Sequence, residues 1–450
     1  MNLQNKTTNL PVNCNRLSTA YSSSLRFAGN TCYQGISLFS QLVLQRYARA
    51  VSNKLPIGIN TQTIAGVIPA GAYGHPRAAD LDLQGVSRNN RTNTLENERP
   101  TPLIDDLDGT RTKLEGWFEQ RMGHPVGISE LNIPESTGMS NVTLLFDINW
   151  QDGDGSHRQA CVGRLQPEIE RPVFPGYDLS LQYEVMDSIG RHSDIPVPQL
   201  LGLETDKSLL GVQFYIMKHT AGRIPTDIPP YNMDGWMLHE TSESQRETMW
   251  YAAVDTMARF HRLDFRELGF GRLADPVKSP LQQQLDYWQA YHDWSLEGDT
   301  HAVCSTALAW LQANQPGEEH TSLCWGDARL ANIIFNESLD GVAAVLDWEM
   351  AVLGNPLQDI AWFNYLDATF AQGLGMPRLE GLPSYEDSLA RWQQESGQSV
   401  EHYDYYTVFA GLRFGLILSR IMFATGQDQE VQGNFAVQML QRTLDEKTRG

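Results

Sequence analysis

The sequence lacks the cysteine patterns of disulfide frameworks and zinc sites. It has five cysteines, an odd number, and none of them forms a CxxC pair. We therefore expect a reducing compartment and a cytoplasmic location. It also has no run of 18 apolar residues, so we expect no membrane span and no membrane partner.

Basic residues are scarce over the whole chain. The formal net charge is −20, which argues against a nucleic-acid partner, because phosphate backbones require clustered Lys and Arg. The pattern GxxxxGK[ST] is absent, which excludes a Walker-type phosphate loop. The composition gives no indication of the oligomeric state.

Acidic residues are missing from residues 1–79, which carry seven Lys and Arg, whereas the chain is acidic from Asp80 onward. A shift of this kind marks a boundary. We predict that residues 1–100 form a disordered or linker-like extension. An acid-poor, Ser-rich N-terminus also resembles an organelle transit peptide, and a misassigned start site is a further alternative.

Residues 101–218 have the pattern of a small nucleotide-binding lobe. A first helix is predicted by apolar residues at helical spacing: Leu114, Trp117, Phe118 and Met122. The stretches "NVTLLFDINW" and "RQACVGRL" flank a Gly/Asp turn and predict a hairpin. The loop before them holds Gly138, Ser140 and Asn141, which could bring backbone N–H groups to phosphates or could form a plain turn.

Arg164 lies in the second predicted strand. A charged residue in an apolar strand requires a partner or an anion, and in a kinase-like lobe such a residue grips the α- and β-phosphates. The alternative is an edge-strand surface arginine. The next predicted helix places Gln182 beside its packed face and Glu184 away from it. Gln182 is therefore the better candidate to support Arg164, although an amide cannot neutralise a guanidinium.

A β-branched and aromatic strand, "VQFYIM", ends at the expected hinge between two lobes. The hinge residues are Met217, Lys218 and His219. We expect their backbone groups to bind adenine.

Three side chains with oxygen atoms follow residue 325 in the order Asp327, Asn332 and Asp347. The apolar stretches "IIF" and "VAAVL", joined by "NESLDG", predict a hairpin. Because a hairpin returns its second strand to the start of the first, Asn332 and Asp347 should be neighbours. An amide oxygen beside a carboxylate suits Mg²⁺ shared with substrate phosphates. Asp327 could then accept the proton of an attacking hydroxyl.

Residues 101–450 resemble the aminoglycoside phosphotransferase superfamily. The matching stretches are "GMSN", "PVPQLLGLE", "LLGVQFYIM", "WGDARLANIIF", "VLDWEMAVLGNPLQDIAW" and "GLRF". They are most similar to the branch related to kinase domains associated with acyl-CoA dehydrogenases. The resemblance implies an α+β, bilobal, protein-kinase-like fold, with a small β-rich N-lobe over residues 101–218 and a larger, mainly helical C-lobe over residues 219–450. It also implies ATP and Mg²⁺ as cofactors.

The same resemblance implies roles for individual residues. Asp327 is the catalytic base, Asn332 and Asp347 bind magnesium, and Arg164 stands for the phosphate-gripping residue. Arg329 occupies the place of a lysine near the γ-phosphate, or else it forms a surface ion pair.

Three further positions are expected to support the site. Glu349 either assists a second metal or braces the loop, and Asp359 caps a helix and hydrogen-bonds the catalytic loop. Trp325 stands where most such loops carry histidine, and indole can brace the loop by packing and by one N–H donor. A second departure is Gln182, which falls where the superfamily usually has glutamate.

The sequence predicts an ATP-dependent transfer of the γ-phosphate to a hydroxyl of a small molecule. A hydroxyacyl-thioester or another hydroxylated metabolite is the candidate acceptor, by analogy alone. Aromatic residues that either form core or line the acceptor pocket occur in "LQQQLDYWQAYHDWSLEG" (Tyr287, Tyr291 and Trp294) and in "WFNYLDATF". The alternative is a pseudokinase or nucleotide-binding scaffold, which the altered residue Gln182 motivates. A protein kinase is disfavoured because "GNPLQD" follows "DWE" almost at once.

Overall fold

The computed structural model describes residues 106–134, 141–167, 169–317 and 320–448, all within one compact unit. It consists of a small antiparallel sheet followed by a larger, mainly helical part. The predicted α+β architecture with a β-rich first lobe and a helical second lobe is confirmed. The extension predicted for residues 1–100 lies outside the described residues, and so do Gly138 and Ser140.

The first lobe contains two helices and one five-stranded sheet. Its elements are α1 (Leu107–Met122), β1 (Val126–Ile128), β2 (Val142–Asp152), β3 (Gly155–Leu165), α2 (Leu179–His192), β4 (Leu200–Glu204) and β5 (Phe214–Lys218). The strand order is β1-β2-β3-β5-β4, and every neighbouring pair is antiparallel.

Local sequence signals explain these elements. Asp106 caps α1 by accepting a hydrogen bond from the N–H of Gly109, and Gly123 ends the helix at a φ of 75°. Alternate residues of β2 are buried from Val142 to Ile148, which is the period-2 pattern of a strand with one core-facing side. The predicted hairpin is present, with β2 and β3 paired from Val142/Leu165 to Asp152/Gly155.

The second lobe contains eight helices and two small two-stranded sheets among the described residues. Its helices are α3 (Trp236–His239), α4 (Glu243–Phe260), α5 (Pro280–Ser295), α6 (Ala302–Ala313), α7 (Leu357–Ala368), α8 (Tyr385–Ser396), α9 (Tyr403–Ala424) and α10 (Phe435–Thr448). Its strands are β6 (Ser322–Cys324), β7 (Ile333–Phe335), β8 (Val342–Val345) and β9 (Val352–Gly354). Strand β6 pairs with β9, and β7 pairs with β8.

The described residues form two hydrophobic clusters, and β5 contributes to both. Phe214 and Ile216 pack in the smaller cluster with α1 and β2. Tyr215 and Met217 point to the opposite face and pack in the larger cluster, which extends through the helical lobe. The hydrophobic core therefore continues across the hinge at residue 218.

Helix α9 is the one helix in the described part that is long and apolar enough to cross a membrane. In the sequence, Arg413 and Arg420 interrupt the apolar stretch "GLRFGLILSRIMFATG", which predicts a buried or amphipathic helix, and the structure has a 22-residue helix there. About two thirds of its apolar window is buried inside the protein. The two arginines within it, Arg413 and Arg420, are also buried, which is the pattern of a core helix.

The first testable consequence concerns the sheet core. Leu144 is completely buried in the smaller cluster, so Leu144→Ala should lower the free energy of unfolding by about 2–5 kcal/mol. Val277 is 90% exposed, and the control Val277→Ser should change it by less than about 0.5 kcal/mol. Urea denaturation measures both values, and equal effects of the two variants would contradict the burial assigned to Leu144.

Candidate active site

The two small sheets bring the segment around Asp327 next to the segment around Asp347. Strand β6 leads into the first segment and β9 leaves the second, and these strands pair with each other. Strands β7 and β8 form the hairpin between the two segments. The N–H of Leu346 donates to the carbonyl of Asn332 at 2.9 Å. Asn332 and the residues before Asp347 are therefore direct neighbours.

The carboxylate of Asp327 is held by three donors. Its Oδ2 accepts hydrogen bonds from Arg329 Nε at 2.9 Å and from Asn332 Nδ2 at 2.8 Å. Its Oδ1 accepts from the indole N–H of Trp362 at 3.0 Å. A carboxylate oxygen has two lone pairs, so Oδ1 keeps the capacity to accept one further proton. Trp362 lies in the stretch that the sequence assigned to core or acceptor contacts, and its contact with Asp327 was not foreseen.

Asp347 has an unusual backbone and an unpaired oxygen. Its φ is 59°, a left-handed conformation that Asp adopts more readily than most residues. Its Oδ1 is buried without a hydrogen-bond partner. Its Oδ2 lies 3.8 Å from Arg164 Nη2. Burial raises the pKa of this carboxyl, and the charge of Asp327 acts in the same direction, whereas Arg164 opposes the shift.

The donor atoms of Asn332 and Asp347 fit a magnesium ion. Within the described ranges, no group of three or more His, Cys, Asp or Glu residues is arranged to hold a metal. A site that Mg²⁺ shares with substrate phosphates requires only one or two protein oxygens, however. The unpaired Asp347 Oδ1 is such an oxygen. The amide of Asn332 donates through Nδ2 to Asp327, and this orients the hard amide oxygen as a second candidate ligand.

The predicted catalytic loop, "WGDARLANIIF" (residues 325–335), is anchored by the fully buried carboxylate of Asp359. Its Oδ2 accepts from the N–H of Trp325 at 2.6 Å, and its Oδ1 accepts from the N–H of Gly326 at 2.9 Å. Oδ2 also contacts His261 Nε2 at 2.9 Å, while Trp392 Nε1 donates to His261 Nδ1 at 3.0 Å. Since Nδ1 accepts, Nε2 must carry the proton that is donated to Asp359.

Asp359 does not cap its helix as the sequence suggested. The N-cap of α7 is Pro356, and Asp359 lies within the first turn with its carboxylate directed at the loop. The loop also requires glycine at position 326, where φ is 89° and an added Cβ would lie 2.0 Å from the carbonyl oxygen of Met350. The carbonyl of Gly326 accepts from Arg413 in α9.

Trp325 is buried and contacts the Asp347 segment. Its indole N–H donates to the carbonyls of Leu346 at 2.8 Å and Asp347 at 3.2 Å. Its ring packs against Trp348 with centroids 5.8 Å apart. One side chain therefore joins the Asp327 segment to the Asp347 segment by packing and by an N–H donor.

Arg164 lies in an inner strand, so the edge-strand alternative is wrong. Its Nη1 donates to Thr143 Oγ1 at 2.9 Å, and its guanidinium faces Asp347. Gln182 is buried and accepts from the hydroxyl of Tyr215 at 3.4 Å. Glu184 forms an exposed ion pair with Arg272, which settles that Glu184 is directed away from Arg164.

Arg329 is partly buried and has two carboxylate partners. Its Nε contacts Asp327, and its Nη1 contacts Asp227 Oδ2 at 2.5 Å. Sequence reasoning missed Asp227, which lies 102 residues before Arg329 in a Pro-flanked loop without a recognisable motif. A small cavity lies next to this pair. Its lining includes Tyr231, Trp250, Phe363, Leu366 and Phe370.

Asn141 and Glu349 contact each other across the two lobes. Asn141 Nδ2 donates to Glu349 Oε2 at 3.5 Å. Asn141 is buried directly before β2, so the contact places Asn141 next to the segment that follows Asp347.

The hinge residues have their N–H groups engaged within the first lobe. The N–H of Lys218 donates to the carbonyl of Gln199, and the N–H of His219 donates to the carbonyl of Ala160. Met217 is largely buried. Adenine contacts at Lys218 and His219 would therefore have to use their carbonyl oxygens, and the adenine role of the hinge stays a prediction.

The aromatic stripe of α5 is mostly core. Tyr291 is buried and its hydroxyl donates to the carbonyl of Val173 at 2.7 Å. Trp294 packs beside it, and Tyr287 is 45% exposed. The cavity beside Arg329 is lined instead by the second predicted stretch, through Phe363, Leu366 and Phe370.

The anchoring carboxylate gives a prediction about stability. In Asp359→Asn, one of the two amide-facing oxygens becomes an NH₂ group that confronts another donor. We expect a loss of about 3 kcal/mol or more in the free energy of unfolding. The control Asp255→Asn alters a partly exposed pair with Arg391 and should cost about 1 kcal/mol or less. Denaturant titration distinguishes them, and a near-neutral Asp359→Asn would contradict the anchoring role.

Comparison with known proteins identifies relatives of this architecture. Residues 178–390 match the model of the family described as "Phosphotransferase enzyme family". A Ralstonia eutropha crystal structure, assigned provisionally as an aminoglycoside phosphotransferase, superimposes with a TM-score of 0.55 at 24% identity. The match covers 74% of this chain and 98% of that one. At this identity the likeness establishes the kinase-like fold.

Curated relatives extend the match in sequence. Acyl-CoA dehydrogenase family member 11 of Gallus gallus is 30% identical over 314 residues, which cover 67% of this chain and 36% of the relative. Acyl-CoA dehydrogenase family member 10 of Mus musculus is 26% identical over 411 residues, which cover 87% and 36%. The chain thus spans about a third of the length of these relatives. The chain is therefore similar to the phosphotransferase enzyme family over residues 178–390, and its curated relatives are acyl-CoA dehydrogenase family members.

Proposed function

We propose that this phosphotransferase moves the γ-phosphate of ATP to a hydroxyl of a small molecule. The observation that carries the proposal is the assembly of four side chains from separate segments at one place. Asp327, Asn332 and Asp347 meet through the β7–β8 hairpin, and Arg164 reaches Asp347 from the sheet of the other lobe. These are the groups that phosphoryl transfer requires for proton acceptance and for charge neutralisation.

One oxygen of the proposed base Asp327 can accept the proton of the attacking hydroxyl. Trp362 fixes the carboxylate of Asp327 through Oδ1, while Arg329 and Asn332 occupy Oδ2. As the acceptor oxygen forms its bond to the γ-phosphorus, the bond from phosphorus to the leaving ADP oxygen breaks. The hydroxyl proton passes to Oδ1, which retains a lone pair.

Two positively charged side chains, those of Arg164 and Arg329, would act on the two ends of the triphosphate of ATP. Arg164 projects from β3 and Arg329 from the catalytic loop. Both guanidinium groups remain protonated at neutral pH. Asn332 and Asp347 would hold Mg²⁺, and the ion when bound would neutralise phosphate charge.

The acceptor would bind beside Arg329, where the structure has a small cavity. This cavity is lined by apolar side chains together with the charged Asp227, Arg329 and Asp367, which favours an acceptor that has both apolar and polar groups. The relatives are named as acyl-CoA dehydrogenase family members, so a hydroxyacyl-thioester or another hydroxylated metabolite is the acceptor class that we propose.

We also propose a cytoplasmic location, which the three described cysteines support as buried thiols. The competing function is a nucleotide-binding scaffold without transfer. The neutral Gln182 in place of a glutamate favours that alternative, whereas the complete set of base and metal-binding oxygens does not.

The base assignment is tested with the full chain, ATP, Mg²⁺ and a metabolite extract, with mass spectrometry to detect a gain of phosphate. We expect phosphorylated product from the wild type and a rate about 10²–10⁴ times lower from Asp327→Asn. The control Asp340→Asn lies in the turn of the same hairpin, where Oδ1 alone accepts from Asn336 and Ser338, and it should retain activity. Absence of any wild-type product would favour the scaffold.

A second prediction concerns Trp325, which stands where most such loops carry histidine. Trp325→His keeps an N–H donor towards the Leu346 carbonyl, so phosphorylation should stay within about tenfold of the wild type. Trp325→Phe removes the donor and should lower the melting temperature more than Trp325→His. If Trp325→His were folded but lost more than about a hundredfold of the rate, the indole would have a role beyond bracing.

A further inference from the structure

Three side chains are neighbours on one face of the inner strands β2, β3 and β5: Thr143, Arg164 and Tyr215. Arg164 pairs in register with Thr143 on one side and with Tyr215 on the other. Register partners in antiparallel strands project from the same face. Arg164 donates to Thr143 Oγ1 at 2.9 Å, and its register partner Tyr215 places a hydroxyl beside the guanidinium, to which Arg164 can donate.

The donors and acceptors among these side chains fit one consistent order. A guanidinium has no acceptor, so the Tyr215 oxygen would accept from Arg164 while the Tyr215 O–H donates elsewhere. Its acceptor is Gln182 Oε1 at 3.4 Å. Tyr215 and Gln182 are 3% and 1% exposed, so water has little access to compete for these bonds.

The carboxylates of helix α2 are engaged elsewhere. Glu184 pairs with Arg272, and Asp187 pairs with Arg191 at 3.0 Å. Gln182 of α2 hydrogen-bonds to the inner face of the sheet, and it does so through Tyr215. The helix thus contacts Arg164 through two neutral groups and not through an ion pair.

We propose that Tyr215 and Gln182 are positioning residues that orient Arg164 towards nucleotide phosphates through an uncharged hydrogen-bond chain. The choice of nucleotide as the ligand rests on the proposed function. An uncharged support restrains the guanidinium without offsetting its charge, whereas a glutamate at position 182 would neutralise part of it. On the side of α2 the charge of Arg164 is therefore not offset, while Asp347 and Glu349 act on it from the other lobe. The departure at Gln182 is then a different way of supporting the basic residue and not a sign of lost function.

The test measures the dissociation constant of ADP by calorimetry on the full-length chain. Tyr215→Phe and Gln182→Met should each weaken ADP binding by about tenfold, because each breaks a chain that ends on a charged group. The double variant should be little weaker than either single variant, since both break the same chain. The control Tyr183→Phe removes a hydroxyl whose ring packs 6.2 Å from the ring of Tyr215, and it should change binding less than twofold.

A background variant separates positioning from general stability. In Arg164→Ala, adding Tyr215→Phe should have no further effect on ADP binding, because the hydroxyl then has no arginine to orient. If Tyr215→Phe still weakened binding tenfold in that background, or if it lowered the melting temperature while ADP binding in the wild-type background stayed unchanged, the proposal would be wrong.

A second probe separates this proposal from the proposed function. Inorganic tripolyphosphate carries the phosphates without adenosine. A wild type that binds tripolyphosphate but not ADP would contradict the nucleotide function, while the loss of tripolyphosphate affinity in Tyr215→Phe would still support the positioning chain. A wild type that binds neither ligand would overturn both.

Discussion

The whole catalytic region depends on the buried carboxylate of Asp359. It accepts two consecutive backbone N–H groups, those of Trp325 and Gly326, together with the imidazole of His261. A fully buried charge is tolerated only when its hydrogen-bonding capacity is satisfied. The loop must therefore follow a path on which both N–H groups point to Asp359. Asp327 follows directly after these two residues. Trp392 donates to Nδ1 of His261, and this leaves Nε2 of His261 as the donor to Asp359.

From that anchor the remaining geometry follows by short steps. The β7–β8 hairpin returns the chain beside Asn332, and the indole of Trp325 ties the loop to the carbonyls that precede and include Asp347. The left-handed backbone of Asp347 then turns its carboxylate towards Arg164. On the side of the second lobe the site is held by these bonds, and the sheet of the first lobe contributes Arg164, for which we propose phosphate binding through a neutral support.

Local patterns in the sequence were sufficient for the hairpins and for the first helix. Alternation in β2, a turn rich in Gly and Asp, and apolar residues at helical spacing around Trp117 depend on nearest neighbours, so they could be predicted. The juxtaposition of Asn332 and Asp347 could be predicted for the same reason, because one short hairpin separates them. The role of Asp359 was predicted in part: its bond to the loop is present, but Pro356 occupies the N-cap.

Contacts that depend on tertiary packing could not be predicted. Asp227 meets Arg329 across 102 residues, and no local motif marks it. The contact of Trp362 with Asp327 requires knowing how α7 packs against the loop. The Tyr215 hydroxyl becomes a partner of Arg164 only once the register of β3 and β5 is fixed. Long-range register and helix packing carry this information, and one sequence does not display it.

The central claim is that Asp327, Asn332, Asp347 and Arg164 form one working phosphate site. A crystal structure of the full chain with ADP and Mg²⁺ tests it most directly. The account predicts that the metal contacts oxygens of Asn332 and Asp347 while Arg164 leaves Asp347 for the nucleotide phosphates. Phosphates bound away from these residues, with Arg164 still directed at Asp347, would contradict it.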